Sequence, residues 1–278
     1  MSAKQQKTSP SKPAGGAGAL LTFIGSDKGG IGKSFITTIL TDLMEVRGTT
    51  AAIVQIDDQD RLPGLFPGRV TTVVPATLDD LRRDPAAIVA AFDPLYDAFE
   101  RMLADRVPLL VDIGGPQQAV IEEYLALVDL DADLIDAGVT ARWLIPATAE
   151  PEAMKGAVRT AQAIGRVLPS AQRRVVLNRR DGPFRFYPAS PADRVWKEQL
   201  QPLCLELGQI EVPAIAAGSW QPFEAAGKRP VDVVGADIDE IRGWTGRSRP
   251  AAKVLRGDVA AFLAAVDAAF GAEVSHER

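Results

Sequence analysis

Short apolar runs alternate with longer segments of helical spacing along most of this chain of 278 residues. Runs such as LLTFI, AAIVQI and PLLVDI have the composition of buried strands, and each is followed at once by Gly or Asp. Strands that alternate with helices pair in parallel through right-handed crossovers, which places helices on both faces of one sheet. The sequence therefore predicts an α/β fold with three layers, a mostly parallel twisted sheet covered by helices on both faces.

Helical spacing and proline positions predict several further elements. The region from Leu78 to Arg106 is predicted to form helices that are interrupted at Pro85 and at Pro94, because proline has no N–H to donate. A short strand is predicted at residues 209–212, and the segment DVAAFLAAVDAAF is predicted to form the closing helix.

The domain organisation follows from the composition of the first residues. Residues 1–18 are rich in Lys, Ser, Pro and Gly and are expected to form a disordered tail. No linker follows residue 20, so residues 19–278 are expected to form a single domain. The N-terminus lacks the apolar stretch of a secretory signal, and no apolar run reaches the length of about 18 residues that a membrane span needs. We therefore expect a cytoplasmic protein without membrane insertion.

The scarcity of cysteine and histidine excludes several kinds of chemistry. The chain has one cysteine, Cys204, and one histidine, His276. A single cysteine forms neither an internal disulfide nor a paired-cysteine metal site, and one histidine near the C-terminus does not complete a zinc site. The sequence thus argues against zinc, haem and thiol chemistry and against iron-sulfur carriers.

The segment KGGIGKS, from Lys28 to Ser34, joins the first predicted strand to the first predicted helix. Glycines let successive backbone N–H groups point inward, and the following helix adds the positive end of its dipole. Lys33 would then reach the β and γ phosphates of a nucleotide, and Ser34 would give its hydroxyl to Mg²⁺. The usual pattern G-x-x-x-x-G-K-[ST] needs glycine at position 27, where this chain has Asp27.

A lysine five residues before the loop lysine gives this segment a specific resemblance. KGGIGKS resembles the deviant Walker A motif of the ParA/MinD family of P-loop ATPases. IVQIDDQD and VPLLVDIGG resemble the next two motifs of that family, and LIPATAEPEAMKGA and VPAIAAGSWQPFEAAGKRP resemble its later segments. The likeness covers residues 20–271, nearly all of the chain expected to fold.

The resemblance implies a role for each matching residue. Lys28 would be the signature lysine, which reaches across a dimer interface to the phosphates held by the partner subunit. Asp57 would orient or activate the attacking water, and Asp112 would hold Mg²⁺ through water. The implied catalytic residues are Lys28, Lys33 and Asp57. The implied metal-binding residues are Ser34, Asp57 and Asp112. The implied nucleotide-binding residues are Gly29, Gly30, Ile31, Gly32, Lys33, Ser34, Phe35 and Asn178.

The same resemblance implies ATP or ADP with Mg²⁺ as cofactors, a homodimer that forms on ATP binding, and weak basal ATP hydrolysis. Adenine is implied by the family, since no N-K-x-D guanine motif occurs. The chain departs from the family in its second motif, where Gln55 replaces the usual aspartate and Asp58 the usual proline, so hydrolysis is expected to be slow or differently regulated. Asn178 has two open interpretations, a contact to the adenine ring or an ordinary turn residue.

Two basic stretches stand out in a chain of net charge −5. The segment from Ile241 to Gly257 contains no acid. Its basic residues are Arg242, Arg247, Arg249, Lys253 and Arg256. A second stretch without acids runs from Arg166 to Arg180. Clusters of this kind are typical either of phosphate-backbone binding or of solvated faces that aid solubility.

Three functions remain open at this point. The first is a dimerising ATPase that partitions or positions DNA, of a plasmid or a chromosome, or another large cargo, with non-specific DNA binding, nucleoid association and a stimulating partner protein. That partner would be ParB-like or a conjugation factor. The second is an accessory protein of plasmid conjugation or stability that uses nucleotide binding for recruitment. The third is a small-molecule ligase or kinase, in which Lys28 would have no evident task.

Overall fold

The computed structural model describes residues 21–57, 61–76, 78–84, 86–216 and 218–274. The expected tail of residues 1–18 lies outside these ranges, as do Asp58, His276 and Pro85, the site of one predicted helix interruption. Within them, seven parallel strands form one sheet in the order β3-β2-β4-β1-β5-β6-β7. The strands are β1 (Leu21–Ile24), β2 (Ala52–Ile56), β3 (Val70–Val73), β4 (Leu109–Ile113), β5 (Ala141–Ala147), β6 (Gln172–Asn178) and β7 (Gln209–Val212).

Helices connect these strands and follow the last of them. They are α1 (Lys33–Val46), α2 (Arg61–Leu65), α3 (Leu78–Arg83), α4 (Ala87–Asp105), α5 (Gln118–Leu127), α6 (Leu130–Asp136), α7 (Pro151–Val167), α8 (Pro191–Val195), α9 (Gln201–Leu207), α10 (Gln221–Ala225), α11 (Pro230–Gly235), α12 (Ile238–Thr245) and α13 (Arg249–Val274). Short 3₁₀ turns follow β4 at Gly115–Gln117 and β6 at Arg179–Asp181, and a π-helical turn at Trp196–Leu200 joins α8 to α9. Across the described ranges, none of the helices is long and apolar enough to span a bilayer.

Both faces of the sheet are covered by helices, as the sequence predicts. On one face, buried side chains of α4, α5 and α7, such as Phe92, Leu125 and Ile164, pack against the strands. On the other face, α1 and α13 supply the cover, with Ile39 and Phe270 fully buried. A sheet covered on both faces explains why its central strands are continuous apolar runs. The predicted three-layer α/β architecture is therefore confirmed.

The predicted interruption at Pro94 is wrong, because α4 runs through it without a break. The proline removes one backbone hydrogen bond, which costs roughly 3 kcal/mol. Helix α4 buries an apolar stripe that includes Phe92, Leu95 and Phe99, and each fully buried side chain of this size contributes about 1.5–3 kcal/mol. Burial of this stripe stabilises α4 by more than the missing hydrogen bond destabilises it, so the helix continues through Pro94.

A buried acidic side chain ties α1 to the start of α11. The Asp42 carboxylate accepts a hydrogen bond from the Val231 N–H at 3.1 Å and lies 3.2 Å from the Arg229 guanidinium. Arg229 also donates to Glu45 at 2.9 Å. Asp42 is 1% exposed, and its burial raises its pKa to about 7, against the opposing effects of the Val231 amide and Arg229. The core therefore contains a carboxyl group that titrates near neutral pH.

This titration predicts a pH-dependent stability that Asp42→Asn should remove. The folded protein holds a proton on Asp42 up to about pH 7, whereas the unfolded chain releases it near pH 4, so the free energy of unfolding falls as pH rises between these values. From about pH 5 to about pH 8 the wild type should lose roughly 3 kcal/mol more than Asp42→Asn does. Urea unfolding at both pH values measures the difference, with Asp232→Asn as the control. An equal loss in Asp42→Asn and the wild type would contradict the prediction.

Candidate functional site

A glycine-rich loop, residues 25–32 (the glycine loop), connects β1 to α1 at the carboxyl edge of the sheet. Strand β1 lies in the middle of the sheet, between β4 and β5. Gly30 and Gly32 have φ values of 75° and 89°, a region that glycine enters without strain. Backbone turns of this kind form concave nests of N–H groups that bind anions. The loop also opens directly into α1, whose 14 residues direct their N-terminal N–H groups toward it.

Lys33, the first residue of α1, folds its side chain back into the glycine loop. Its ammonium group donates to the carbonyl oxygens of Lys28 at 2.7 Å and Ser26 at 3.2 Å. The side chain is 7% exposed, and this burial lowers its pKa to about 8, while the nearby carboxylate of Asp112 acts in the opposite direction. A desolvated ammonium at the centre of the loop is placed to meet a strong anion.

Asp112, near the end of β4, connects to α1 through two hydroxyl groups. Ser34 Oγ donates to Asp112 Oδ2 at 2.7 Å, and Thr37 Oγ1 donates to Asp112 Oδ1 at 2.8 Å. The carboxyl group is 1% exposed and its burial raises its pKa, although both hydroxyl bonds and Lys33 act against this. Sequence reasoning missed Thr37, whose position one helical turn after Ser34 puts both hydroxyls on one face of α1.

Asp57 follows β2, the strand beside β4, and lies against the chain that leaves β4. A Cβ atom at Gly114 would lie 2.9 Å from Asp57 Oδ2, and one at Gly115 would lie 2.7 Å from the Gly29 nitrogen. Neither position has room for a side chain, so the Gly114-Gly115 pair lets the chain after β4 pack against both Asp57 and the glycine loop. Asp57 also raises the pKa of Lys33, against the larger lowering by burial. The structure thus brings Asp57 and the loop lysine close together.

The oxygen groups around Asp112 fit Mg²⁺ better than a softer metal. Carboxylates and hydroxyls are hard ligands, and Ser34 Oγ, which gives its proton to Asp112, keeps lone pairs for a cation. Among the described residues, no group of three or more His, Cys, Asp or Glu side chains is placed to hold a metal ion. Mg²⁺ commonly takes one or two protein ligands and completes its shell with water and substrate phosphates. The site therefore fits Mg²⁺ that arrives with a nucleotide.

Lys28 belongs to the glycine loop, and its side chain forms an ion pair within its own chain. Its ammonium nitrogen is 3.5 Å from Glu150 Oε1, at the start of α7, and the two side chains are 41% and 47% exposed. An exposed pair of this kind contributes at most about 1 kcal/mol, so Lys28 can leave Glu150 at small cost. Its predicted contact to a partner subunit stays a prediction, and sequence reasoning did not anticipate Glu150.

Asn178, at the end of β6, bonds to the glycine loop. Its side-chain nitrogen donates to the Ile31 carbonyl at 2.9 Å, and its side-chain oxygen accepts from the Arg180 N–H at 3.2 Å. Arg180 in turn donates through Nη1 to the Gly30 carbonyl at 3.0 Å. Sequence reasoning did not include Arg180 in the site. The contact of Asn178 to adenine stays a prediction.

Gln55, where the resemblance to the ParA/MinD family leads one to expect an aspartate, is buried in β2. It is 2% exposed, and its side-chain oxygen accepts a hydrogen bond from the Leu62 N–H at 3.3 Å. In the sheet it stands opposite Asp112 on β4. The bond to Leu62 connects the start of α2 to the sheet, and Gln55 places a neutral amide beside Asp112.

A pocket of about 290 Å³, the edge pocket, opens beside the glycine loop. Its volume is at the lower end of small-molecule sites. The aromatic rings of Phe35 and Trp220, both in its lining, have centroids 5.4 Å apart. Other residues of its lining are Gly32, Asn178, Arg180, Asp181, Pro213 and Ile215. The edge pocket therefore places two aromatic rings, together with polar side chains such as Arg61 and Glu224, next to the place where an anion would bind.

The basic residues between Ile241 and Gly257 are partly neutralised in the structure. Arg242 and Arg249 both donate to Asp239, at 2.9 and 3.2 Å. Arg256 donates to the Val234 carbonyl at 2.9 Å. The remaining two members, both exposed, are Arg247 and Lys253. The acids at the start of α12 stand next to this stretch, so its positive charge is smaller than its own sequence indicates.

Comparisons with known proteins find a distant structural likeness and no matching family. No family model matches the chain, and a search of curated proteins finds no match. Among solved structures, the chain is similar to a chain of the MinC:MinD cell division protein complex of Aquifex aeolicus, with 13% sequence identity and a TM-score of 0.45. The match covers 88% of this chain and 95% of the other. A likeness at this sequence identity and TM-score carries no argument about function. The function proposed below rests on the geometry of the site.

Proposed function

We propose that the chain is a Mg²⁺-dependent ATP hydrolase whose nucleotide state switches it between monomer and dimer. One observation carries this proposal: Lys33 lies inside a glycine loop, and the next residue of α1, Ser34, bonds to the buried Asp112 of a neighbouring strand. The Lys33 ammonium, which would bind phosphates, therefore lies next to the Ser34 and Asp112 oxygens, which would bind Mg²⁺. Asp57, at the end of the next strand, is the group that would orient the attacking water.

The switch would act on DNA or another large cargo, which it would partition or position. Turnover would be weak until a second protein stimulates it, as the resemblance to the ParA/MinD family implies. Lys28 supports the dimer, since its side chain is 41% exposed and its ion pair with Glu150 is weak. A flexible ammonium there can reach the phosphates bound by a second copy.

Light scattering with ATP and with ADP tests the switch. With Mg²⁺ and ATP under non-hydrolysing conditions, the wild type should have the mass of a dimer, and with ADP that of a monomer. Lys28→Met should bind ATP within a few-fold of the wild type and remain monomeric, because it loses only the charge that crosses the interface. Lys155→Met, whose lysine pairs with Glu152 at 2.8 Å on α7, is the control and should dimerise normally. A wild-type monomer that turns over ATP would favour a small-molecule kinase instead.

Non-specific DNA binding would use the exposed cations of the segment from Ile241 to Gly257. A double variant of Arg247→Ala and Lys253→Ala should weaken duplex DNA binding in the presence of ATP about tenfold and flatten its salt dependence, because each phosphate contact releases a counterion. Arg242→Ala, which removes a charge already bonded to Asp239, should have the smaller effect. Fluorescence anisotropy over a salt series measures this. Binding that does not fall with rising salt would refute the proposal.

A second candidate is an accessory protein of plasmid conjugation or stability that binds nucleotide to recruit partners and hydrolyses little. The buried position of Gln55 favours it, since that amide supplies no charge to the metal site. Phosphate release separates the two candidates. ATP-dependent dimers with no measurable turnover, with or without DNA and a partner protein, would favour the accessory role.

A further inference from the structure

Two consecutive carbonyl groups of the glycine loop, those of Gly30 and Ile31, receive hydrogen bonds from side chains at and just after the end of β6. Asn178 Nδ2 donates to the Ile31 oxygen, and Arg180 Nη1 donates to the Gly30 oxygen, at 2.9 and 3.0 Å. Asn178 is the last residue of β6, and Arg180 lies in the 3₁₀ turn that follows it. The fit is close, because a Cβ atom at Gly32 would lie 2.6 Å from the Asn178 amide nitrogen.

The geometry of a nest explains why these carbonyls need partners. Where the N–H groups of a loop turn toward an anion, the carbonyl groups between them turn away from it. A backbone carbonyl that leaves water and finds no donor is unfavourable, so an external donor favours the shape in which the N–H groups face inward. Asn178 supplies this donor at the buried Ile31, and Arg180 adds a charged donor at the exposed Gly30.

The loop has a second set of donors, on its inner side, but a ligand would compete for it. The Lys33 ammonium now bonds to the carbonyls of Ser26 and Lys28. A phosphate group in the loop would attract this ammonium more strongly than two neutral carbonyls do. When Lys33 turns to the ligand, the bonds from Asn178 and Arg180 remain.

We propose that Asn178 and Arg180 are positioning residues that hold the glycine loop in its anion-binding shape, and that Asn178 does not read the base. The inference rests on the proposed function, because it takes the loop to bind phosphates. Asn178 also caps the turn at Arg179–Asp181 through its side-chain oxygen, as the turn interpretation predicts, so the contact to the loop is a second role of the same side chain. Asn178 is 2% exposed, and its amide bonds to the Ile31 carbonyl through its nitrogen and to the Arg180 N–H through its oxygen.

Inorganic tripolyphosphate separates loop positioning from base contact, because it carries the phosphates without a nucleoside. Arg180→Met should weaken binding of both ATP and tripolyphosphate, each with Mg²⁺, about tenfold in calorimetric titrations. Arg179→Met is the matched control: it removes the same charge one residue away, where Arg179 pairs with Glu211. That control should stay within about twofold of the wild type, and Arg180→Lys, which keeps a charged donor, should recover part of the loss.

Asn178→Ala should lower the affinities for ATP, GTP and tripolyphosphate by the same factor and leave the ratio of ATP to GTP affinity unchanged. Thermal unfolding without ligand shows whether each variant still folds, and Asn178→Asp, which keeps the oxygen but loses the donor, should repeat the loss. If the Asn178 or Arg180 variants weaken ATP but leave tripolyphosphate unchanged, the inference is wrong and these residues contact the nucleoside. If the wild type binds neither ligand, the proposed function fails and the inference fails with it.

Discussion

Asp57→Ala should stop ATP turnover while leaving ATP binding and the dimer intact. Asp57 lies at the end of β2, against Gly114 and near the loop lysine, where it would face water at the γ-phosphate. A carboxylate that orients or deprotonates attacking water contributes roughly 10²–10⁴-fold to the rate. Steady-state phosphate release should fall by at least about a hundredfold, and light scattering should show a dimer that persists because ATP is no longer consumed.

Asp27→Ala is the control for this experiment, because it also removes a carboxylate close to Lys33. Asp27 pairs with Arg159 at 2.7 Å and lies in the loop itself, before Lys28. Loss of the Asp27 carboxylate should change turnover by no more than a few-fold. Asp27 affects the electrostatic potential at Lys33, and it is not the group proposed to orient the attacking water. Normal turnover in Asp57→Ala would refute the role given to that carboxylate. Loss of ATP binding in Asp57→Ala would mean that Asp57 contacts the nucleotide or its metal ion and not the attacking water.

Lys33→Ala should abolish nucleotide binding. The ammonium is buried at the centre of the loop, where its charge is poorly screened and where a triphosphate would find it already in place. Its removal also leaves the Ser26 and Lys28 carbonyls without the donor that now holds them. Calorimetric titration with ATP and Mg²⁺ should show an affinity at least about a hundredfold weaker, since a buried charge pair of this kind is worth about 3 kcal/mol or more.

Lys28→Met controls for the loss of one positive charge near the loop in this titration. It should bind ATP within a few-fold of the wild type, whereas Lys33→Ala should not bind measurably. Circular dichroism must show that Lys33→Ala is folded. Unchanged affinity in a folded Lys33→Ala would mean that the nucleotide lies elsewhere, and the account of the glycine loop would be wrong.

Much of the fold could be predicted because strands buried on both faces leave a strong mark in the sequence. Continuous apolar runs ending in Gly or Asp mark β1, β2 and β4, and the short strand β7 has the bounds that its pattern predicts. Edge strand β3 was missed, since VTTV at the border of the sheet has only one buried residue. The helix interruption predicted at Pro94 was wrong, because local propensity carries no information about how much apolar surface a helix buries.

The placement of the candidate site was predictable where it depends on topology. Parallel strands end at one edge of the sheet, so the spacing of Asp57 and Asp112 places both near the glycine loop. Partners that depend on side-chain direction were not predictable, as with Asn178, whose amide turns to the Ile31 carbonyl. The basic stretch before Gly257 shows the same limit, because Asp239, which neutralises two of its arginines, lies outside the stretch.

The central claim is that the glycine loop between β1 and α1 binds the phosphates of an adenine nucleotide. Its most direct test is a calorimetric titration of the wild-type protein with ATP and Mg²⁺, with ADP and tripolyphosphate as further ligands. We expect saturable binding of ATP, of ADP and of tripolyphosphate, each at about one molecule per chain. Absence of any heat or fluorescence response to adenine nucleotides with Mg²⁺, from a protein shown to be folded, would contradict it.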